Sequence, residues 1–242
     1  MLKLLRGELY RLLHKKSAYI YFAALAVAYA LVIYVRSGGF TAQSVVDDAV
    51  SFFYLLPALV GGFLFAAIYV DDLNSKNLIS LVGFGTSKTR IVIAKFILMA
   101  LLSAVAFALA PLLHSAIYML LGWAPSAQGW LMIYAVSLKY FLMTVAFAVL
   151  SGIVVYGLQR TTFAVVLYLL LAFNVVSSLL SLALKSFAPG LASYLMAGIS
   201  DRAMTAVASG GSVVAPVLEY AIYVVIAGAL SVLAFHKKEM EF

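Results

Sequence analysis

The chain has 242 residues, 66% of them hydrophobic and 10% charged, with a formal net charge of +7. Soluble domains hold about 45–50% apolar and about 25% charged residues, so this composition excludes a water-soluble globular, a disordered or a fibrous chain and fits a polytopic membrane protein. Cysteine is absent, which removes disulfides, thiol nucleophiles and Cys-ligated metals; His14, His114 and His236 are too scattered for a metal cluster.

Residues 1–16 read as an amphipathic interfacial helix. At 100° per residue Leu2, Leu5, Leu9, Leu12 and Leu13 share one face, while Lys3, Arg11, His14 and Lys15 share the other. A basic helix of this kind lies in the headgroup layer with its cations toward anionic lipid. Two readings stand open: a topology anchor, or a lateral elbow that also touches a cytoplasmic partner.

Six apolar runs follow, at about 17–35, 49–70, 91–121, 130–158, 163–184 and 217–235. Each supplies the roughly 20 helical residues that cross a hydrocarbon core of about 30 Å. The first stops at Arg36, the second at Asp71 and Asp72, and the fifth at Lys185; Lys95 sits near the start of the third and Lys139 interrupts the fourth. These runs are too long and continuous for the alternating strands of an outer-membrane barrel. A cleaved leader would need a small-x-small site before Arg36; without one, the first run is expected to be a retained anchor. The polar interruptions at 36–48, 71–90 and 185–216 are too short to bury cores of their own. The whole of 1–242 is therefore expected to form one transmembrane domain. Within 185–216, the apolar stretch 191–196 lies among Pro189, Gly190, Gly198, Gly210 and Gly211 and predicts a short interfacial helix with loops. No internal repeat is evident, which weighs against inverted-repeat carriers.

Positive charge predicts the orientation. With the N-terminus in the cytoplasm, Lys3, Arg6, Arg11, Lys15, Lys16, Lys76, Lys88, Arg90, Lys95, Arg160, Lys237 and Lys238 lie inside, and Arg36, Lys139, Lys185 and Arg202 lie outside or near the outer face. Twelve against four is a marked positive-inside bias. Six spans then place both termini in the cytoplasm. The expected class is an all-α integral membrane protein of six transmembrane helices behind an N-terminal elbow helix.

The 71–90 stretch offers a short helix, a glycine break at Gly83 and Gly85, and Ser87 as N-cap of the third span. A phosphate loop of the pattern G-x-x-x-x-G-K-[ST] fails here, because the position five residues after Gly83 is Lys88 rather than glycine. No ATP site of its own is predicted.

Asp72, Lys76-Asn77-Leu78, Gly83-Phe84-Gly85-Thr86-Ser87-Lys88, Arg90-Ile91-Val92 and Ala94-Lys95-Phe96 resemble the second cytoplasmic stretch of ABC-2-type exporter permeases. The opening residues 8–17 and the basic-acidic tail 236–241 are similar to that family as well. Lys88 stands where the family commonly has Arg, which keeps the charge but loses the planar fork. The likeness covers nearly the whole chain in topology and about 40 residues in motif.

The resemblance implies a multi-pass plasma-membrane permease subunit that moves a hydrophobic or amphipathic substrate (a peptide, an antimicrobial or a drug-like molecule) out of the cell. ATP and Mg would be bound and hydrolysed by a separate soluble ABC ATPase, so this chain is expected to be no enzyme and to bind no cofactor. Its other implied partners are a second permease copy or paralogue and the lipid bilayer, with no nucleic acid. A coupling helix would fall at about 75–83, and contact with the ATPase would involve Asp72, Lys76, Asn77, Leu78, Gly83, Gly85, Ser87, Lys88 and Arg90. Glu8, Arg11, Lys15 and Lys16 would belong to the elbow helix.

Polar residues within the spans are costly and therefore candidates for a substrate path. Lys139 reads either as an interfacial cation that snorkels outward or as a substrate contact. Glu219, near the outer start of the last span, reads first as a side chain exposed at the interface; pairing with Lys139 or Lys185, or facing a lateral opening that accepts a cationic amphiphile, are the alternatives. His114, three residues after Pro111, reads as a packing or kink-satisfying side chain, and Asn174 as an interhelical hydrogen bond. Small residues at Ala24, Ala28, Gly61, Gly62, Ala104, Ala108, Ala227 and Ser231 permit close helix contact without defining a dimer face. The alternatives are an ion-coupled carrier, which would want a carboxylate deep in a span, and an integral-membrane enzyme. Asp71 and Asp72 lack the neighbouring His or third carboxylate that such an enzyme would need.

Overall fold

A chain in hydrocarbon has to satisfy every backbone N–H and C=O internally, and the long apolar runs do so as helices. The computed structural model describes residues 2–36, 41–74 and 77–237, and no strand occurs among them. The leucine-faced segment is α1 (Leu2–Leu13), which turns at His14 and Lys15 into α2 (Lys16–Arg36). The second run opens with α3 (Ala42–Phe53) and continues as two π-helical stretches, Pro57–Gly61 and Ala66–Val70, around α4 (Gly62–Phe65), ending in α5 (Asp71–Asn74). Then come α6 (Asn77–Gly83), α7 (Lys88–Leu120), α8 (Ala127–Leu158), α9 (Thr161–Ala172) and α10 (Val175–Phe187). A 3-10 turn (Pro189–Tyr194), α11 (Met196–Ser209) and α12 (Val214–Lys237) complete the order.

Among the described residues, five stretches are long and apolar enough to cross a membrane: Lys16–Arg36, Ser44–Leu73, Lys88–Leu120, Ala127–Leu158 and Val214–Lys237. A sixth exists if α9 and α10, bent by 62° at their junction, count as one span. The described residues are thus all-helical, with five to six membrane-length elements.

The bundle is centred on α8, against which α3, α7, α9, α11 and α12 all pack. Glycines let neighbours approach its flanks. A Cβ on Gly61 would stand 2.1 Å from the Tyr168 hydroxyl and 2.7 Å from Thr144 Cγ2, and one on Gly152 would meet the Phe96 ring at 3.0 Å. Ala227 and Ser231 are buried on the α12 face that meets α8, where the Ser231 hydroxyl donates to the Ala227 carbonyl at 2.9 Å. The outer faces of α2, α7 and α12 expose large apolar side chains such as Leu31, Leu109 and Val225, the surface a bilayer covers.

Proline leaves its marks in two places. Pro111 lies inside α7 without breaking it. The carbonyl of Phe107, four residues earlier and deprived of its helical donor, accepts the Ser137 hydroxyl at 2.5 Å instead. The carbonyl of Pro57, where the π-helical turns begin, accepts the Tyr168 hydroxyl at 2.8 Å.

Three boundaries differ from expectation. The second element starts at Ala42 rather than about 49, because Asp48 is satisfied inside the fold by Arg36 and Tyr118 and need not sit in a loop. The run at 163–184 is interrupted at Asn174, whose backbone is left-handed (φ 57°). The 185–216 region contains the 14-residue α11, packed on α8 through Met196, Ile199, Ser200 and Ala203, while 191–194 belong to the 3-10 turn.

Candidate functional site

Antiparallel crossings give the bundle two ends. One holds α1, the 71–87 connection, the start of α7 and the end of α12; the other holds Arg36, the start of α8 and α11. The first gathers the densest set of paired charges.

There α1 places Glu8 and Arg11 one turn apart, with Arg11 Nη2 2.8 Å from Glu8 Oε2. Arg11 Nη1 also pairs with Asp72 at the start of α5, and its Nη2 donates to the Ala67 carbonyl at 3.4 Å. Lys95, two turns into α7, completes the cluster. Its ammonium is 2.8 Å from Glu8 and also pairs with Asp72. Only 1% of the Asp72 and Lys95 side chains is exposed, against 11% for Glu8 and 33% for Arg11. Nearer the surface, Lys15 Nζ pairs with Asp71 at 2.5 Å. Three acids face three bases, so the cluster is neutral as a set, the condition under which buried charges are tolerated. It ties the N-terminal helix, the end of the second span and the start of the third into one clasp.

The clasp corrects the helical-wheel reading of α1. Arg11 was expected among lipid-facing cations, yet it turns inward with Glu8 to meet Asp72, and of the four elbow residues only Lys16 is exposed. Lys95, absent from the expected coupling residues, is the most buried cation of the cluster. The signal for it was a lysine two turns inside an apolar run, with acids available at Glu8 and Asp72.

The remaining coupling candidates disperse. Lys76 lies outside the described residues, as does the Asn77 side chain; Asn77 opens the seven-residue α6. Leu78 is buried and Gly83 closes the helix. Gly85 adopts φ 81°, a conformation that suits glycine. Ser87 occupies the N-cap position of α7, but its side chain makes no capping bond. Lys88 Nζ donates to the Phe235 carbonyl at 3.0 Å and lies over the Phe235 ring, fastening the start of α7 to the end of α12. Arg90 is exposed.

At the other end the polar candidates find unexpected partners. Lys139 Nζ pairs with Asp201 at 2.5 Å, and Glu219 accepts from Arg202 Nη1 at 3.1 Å. Both partners belong to α11, so Glu219 pairs with Arg202 and not with Lys139; the Lys185 side chain lies outside the described residues. Hydrogen bonding to Glu219 raises the pKa of the Arg202 guanidinium above its ordinary value.

His114 is buried, with Nδ1 hydrogen-bonded to the Tyr29 hydroxyl and Nε2 2.7 Å from the Val45 carbonyl. It packs α7 against α2 and α3, while Ser137 serves the carbonyl that Pro111 frees. Asn174 makes no interhelical hydrogen bond through its Oδ1, which is enclosed without a hydrogen-bond partner. Its role is the left-handed link between α9 and α10. Lys139 and Glu219 therefore converge on α11, whereas His114 and Asn174 sit elsewhere in the bundle.

Asp48 was expected in the 36–48 loop. It lies instead within the membrane-length Ser44–Leu73 stretch, with its side chain 6% exposed. Both oxygens are used: Oδ1 is 2.9 Å from Arg36 Nη1, and Oδ2 accepts from Tyr118 at 2.5 Å. No group of three or more potential metal ligands occurs among the described residues. Comparisons of the chain with family models, with curated proteins and with solved structures find no match.

Proposed function

We propose that the chain is the membrane-spanning subunit of an ATP-driven exporter of the ABC-2 type. In this reading it has six spans and both termini in the cytoplasm of a plasma-membrane permease. It works with a second permease copy or paralogue and a soluble ATPase that holds ATP and Mg. The cargo is a hydrophobic or amphipathic molecule, peptide-like or drug-like.

The clasp is the observation that carries the reading. A loop that a soluble motor pushes must pass displacement to the spans and not absorb it, and rigid elements held at a few points do this. Asp71 and Asp72 lie at the head of the 71–87 connection and Lys95 lies just beyond it; Asp72 and Lys95 are fastened to α1, and Asp71 to Lys15 in the turn that follows α1. Movement of α6 would draw the second span, the third span and the N-terminal helix together. The positive-inside bias supports a cytoplasmic side for this end, where a soluble motor would reside.

The test is co-expression with a candidate soluble ATPase, co-purification, and reconstitution in vesicles. ATP-dependent efflux by the pair, with no ATP hydrolysis by the chain alone, is the expected result. Hydrolysis by the chain alone, or flux driven by an ion gradient without ATP, overturns the proposal; the latter outcome favours the carrier reading, to which buried Asp48 lends an acid within a span.

A further inference from the structure

The clasp leaves part of its own hydrogen-bonding capacity unused. Among the described residues twelve enclosed side-chain nitrogen and oxygen atoms lack a hydrogen-bond partner, and five of them belong to one neighbourhood: Glu8 Oε2, Asp72 Oδ2, Lys95 Nζ and the hydroxyls of Tyr69 and Tyr156. The Lys95 ammonium touches both carboxylates as ion pairs, but without the alignment of hydrogen bonds.

The two tyrosines are part of the same packing unit. Tyr69 lies in the second π-helical stretch, three residues before Asp72, and Tyr156 lies near the end of α8. Their rings meet edge-on, with centroids 6.3 Å apart. Phe96, next to Lys95 on α7, stands 6.4 Å from the one and 6.5 Å from the other. Only 2% of Tyr69 and 1% of Tyr156 is exposed. The fields of Asp72 and Glu8 reach the Tyr156 hydroxyl, yet neither carboxylate bonds it. The separation is therefore wider than a direct hydrogen bond but within electrostatic reach, the spacing that a bridging molecule fills.

Chemistry selects the occupant. A further cation would meet the Lys95 ammonium, which already stands 2.8 Å from Glu8 and pairs with Asp72; an anion would meet both carboxylates. The orphaned groups also differ in what they need. An ammonium has three donors and no acceptor, a carboxylate only acceptors, and a phenolic hydroxyl both. The occupant has to donate and accept, carry no charge and fit among enclosed atoms. Water meets these conditions, and a buried water takes about three partners of this kind.

We propose that the clasp holds a bound water, which bridges the Lys95 ammonium and the Asp72 carboxylate to the hydroxyls of Tyr69 and Tyr156. Through Tyr156 it gives the central helix α8 a polar tie to the charges that fasten α1. The assignment rests on the fold alone and stands apart from the export reading.

Two measurements on the full-length protein in detergent test it. In pulsed X-ray radiolysis read by mass spectrometry, a bound water generates hydroxyl radicals in place. Tyr69 and Tyr156 are expected to oxidise several-fold faster than Tyr168, which is equally buried but donates its hydroxyl directly to the Pro57 carbonyl at 2.8 Å. In thermal unfolding, Tyr69→Phe and Tyr156→Phe are each expected to lower the midpoint, because each removes a hydrogen bond to the water. Dry, unpaired hydroxyls would give the opposite sign, since their removal relieves a desolvation penalty. Oxidation of the pair no faster than that of Tyr168 overturns the proposal, and so do midpoints that stay level or rise in both phenylalanine variants. A wild-type midpoint that rises in sodium over choline at equal ionic strength, and no longer does so in the phenylalanine variants, would place a cation there and overturns it as well.

Discussion

The Asp72 carboxylate and the Lys95 ammonium are ion-paired with only 1% of either side chain exposed, and each keeps a second partner on α1: Arg11 for Asp72, Glu8 for Lys95. Removing one member of such a set leaves an uncompensated buried charge, at a cost of about 3–5 kcal/mol. Asp72→Asn and Lys95→Met are each expected to lower the unfolding midpoint in detergent markedly. The double variant, which restores neutrality, is expected to recover most of the loss. A double variant as unstable as the sum of the singles would show that packing, and not charge balance, governs the clasp.

Asp71, the adjacent residue, makes the contrast. Its side chain is 42% exposed and its partner Lys15 36% exposed, and pairs in that setting contribute about 0–1 kcal/mol. Asp71→Asn is expected to leave the unfolding midpoint nearly unchanged and to become less distinguishable from wild type as salt rises. If Asp71→Asn destabilises as much as Asp72→Asn, the two aspartates do not divide between surface and core in this way.

The long spans were legible because apolar runs of 19 or more residues leave little else for the chain to do in lipid, and the runs at 91–121 and 130–158 correspond to α7 and α8 within a few residues. The interruption at Asn174 was not, since a single left-handed residue changes neither the length nor the hydropathy of the run at 163–184. Asp48 misled for a physical reason: an acid near a glycine-rich stretch looks like loop until Arg36 and Tyr118 are seen to neutralise and solvate it. The same limit hid the clasp. Local spacing places Arg11 on the polar face of α1, but its partner Asp72 lies 61 residues away, and no helical periodicity reports a pairing across that distance. Lys139 with Asp201 and Glu219 with Arg202 escaped for a related reason, because α11 was read as loops.

Asn174 provides a backbone test. Its φ of 57° belongs to the region that glycine enters freely and that costs other residues roughly 1 kcal/mol or more. Its enclosed Oδ1 also lacks a hydrogen-bond partner, so the side chain contributes a desolvation penalty. Asn174→Gly is expected to be neutral or stabilising by up to about 1 kcal/mol, and Asn174→Ala less stable than Asn174→Gly by about 1 kcal/mol. Thermal unfolding of the three proteins checks the order; an alanine variant at least as stable as the glycine variant would remove the left-handed link from the account of the bend.

Gly61 tests the contact between the π-helical segment and the bundle. A Cβ there would sit 2.1 Å from the Tyr168 hydroxyl and 2.7 Å from Thr144 Cγ2, both inside van der Waals contact. Gly61→Ala therefore has to displace the second span or break the Tyr168 bond to the Pro57 carbonyl, 2.8 Å long in the native fold. Overpacking of this kind costs about 1–3 kcal/mol. Adding Tyr168→Phe removes the nearest atom at the cost of one hydrogen bond, about 0.5–1.5 kcal/mol, and leaves the Thr144 methyl in place. The double variant is expected to be more stable than the sum of the two single losses predicts, with a coupling of about 0.5–3 kcal/mol in a double-mutant cycle. Strict additivity would mean that the segment relaxes away from Tyr168 without resistance. In that case the Pro57–Gly61 turn is not held by the bundle, and displacement at the 71–87 connection would dissipate within the second span instead of reaching its far half.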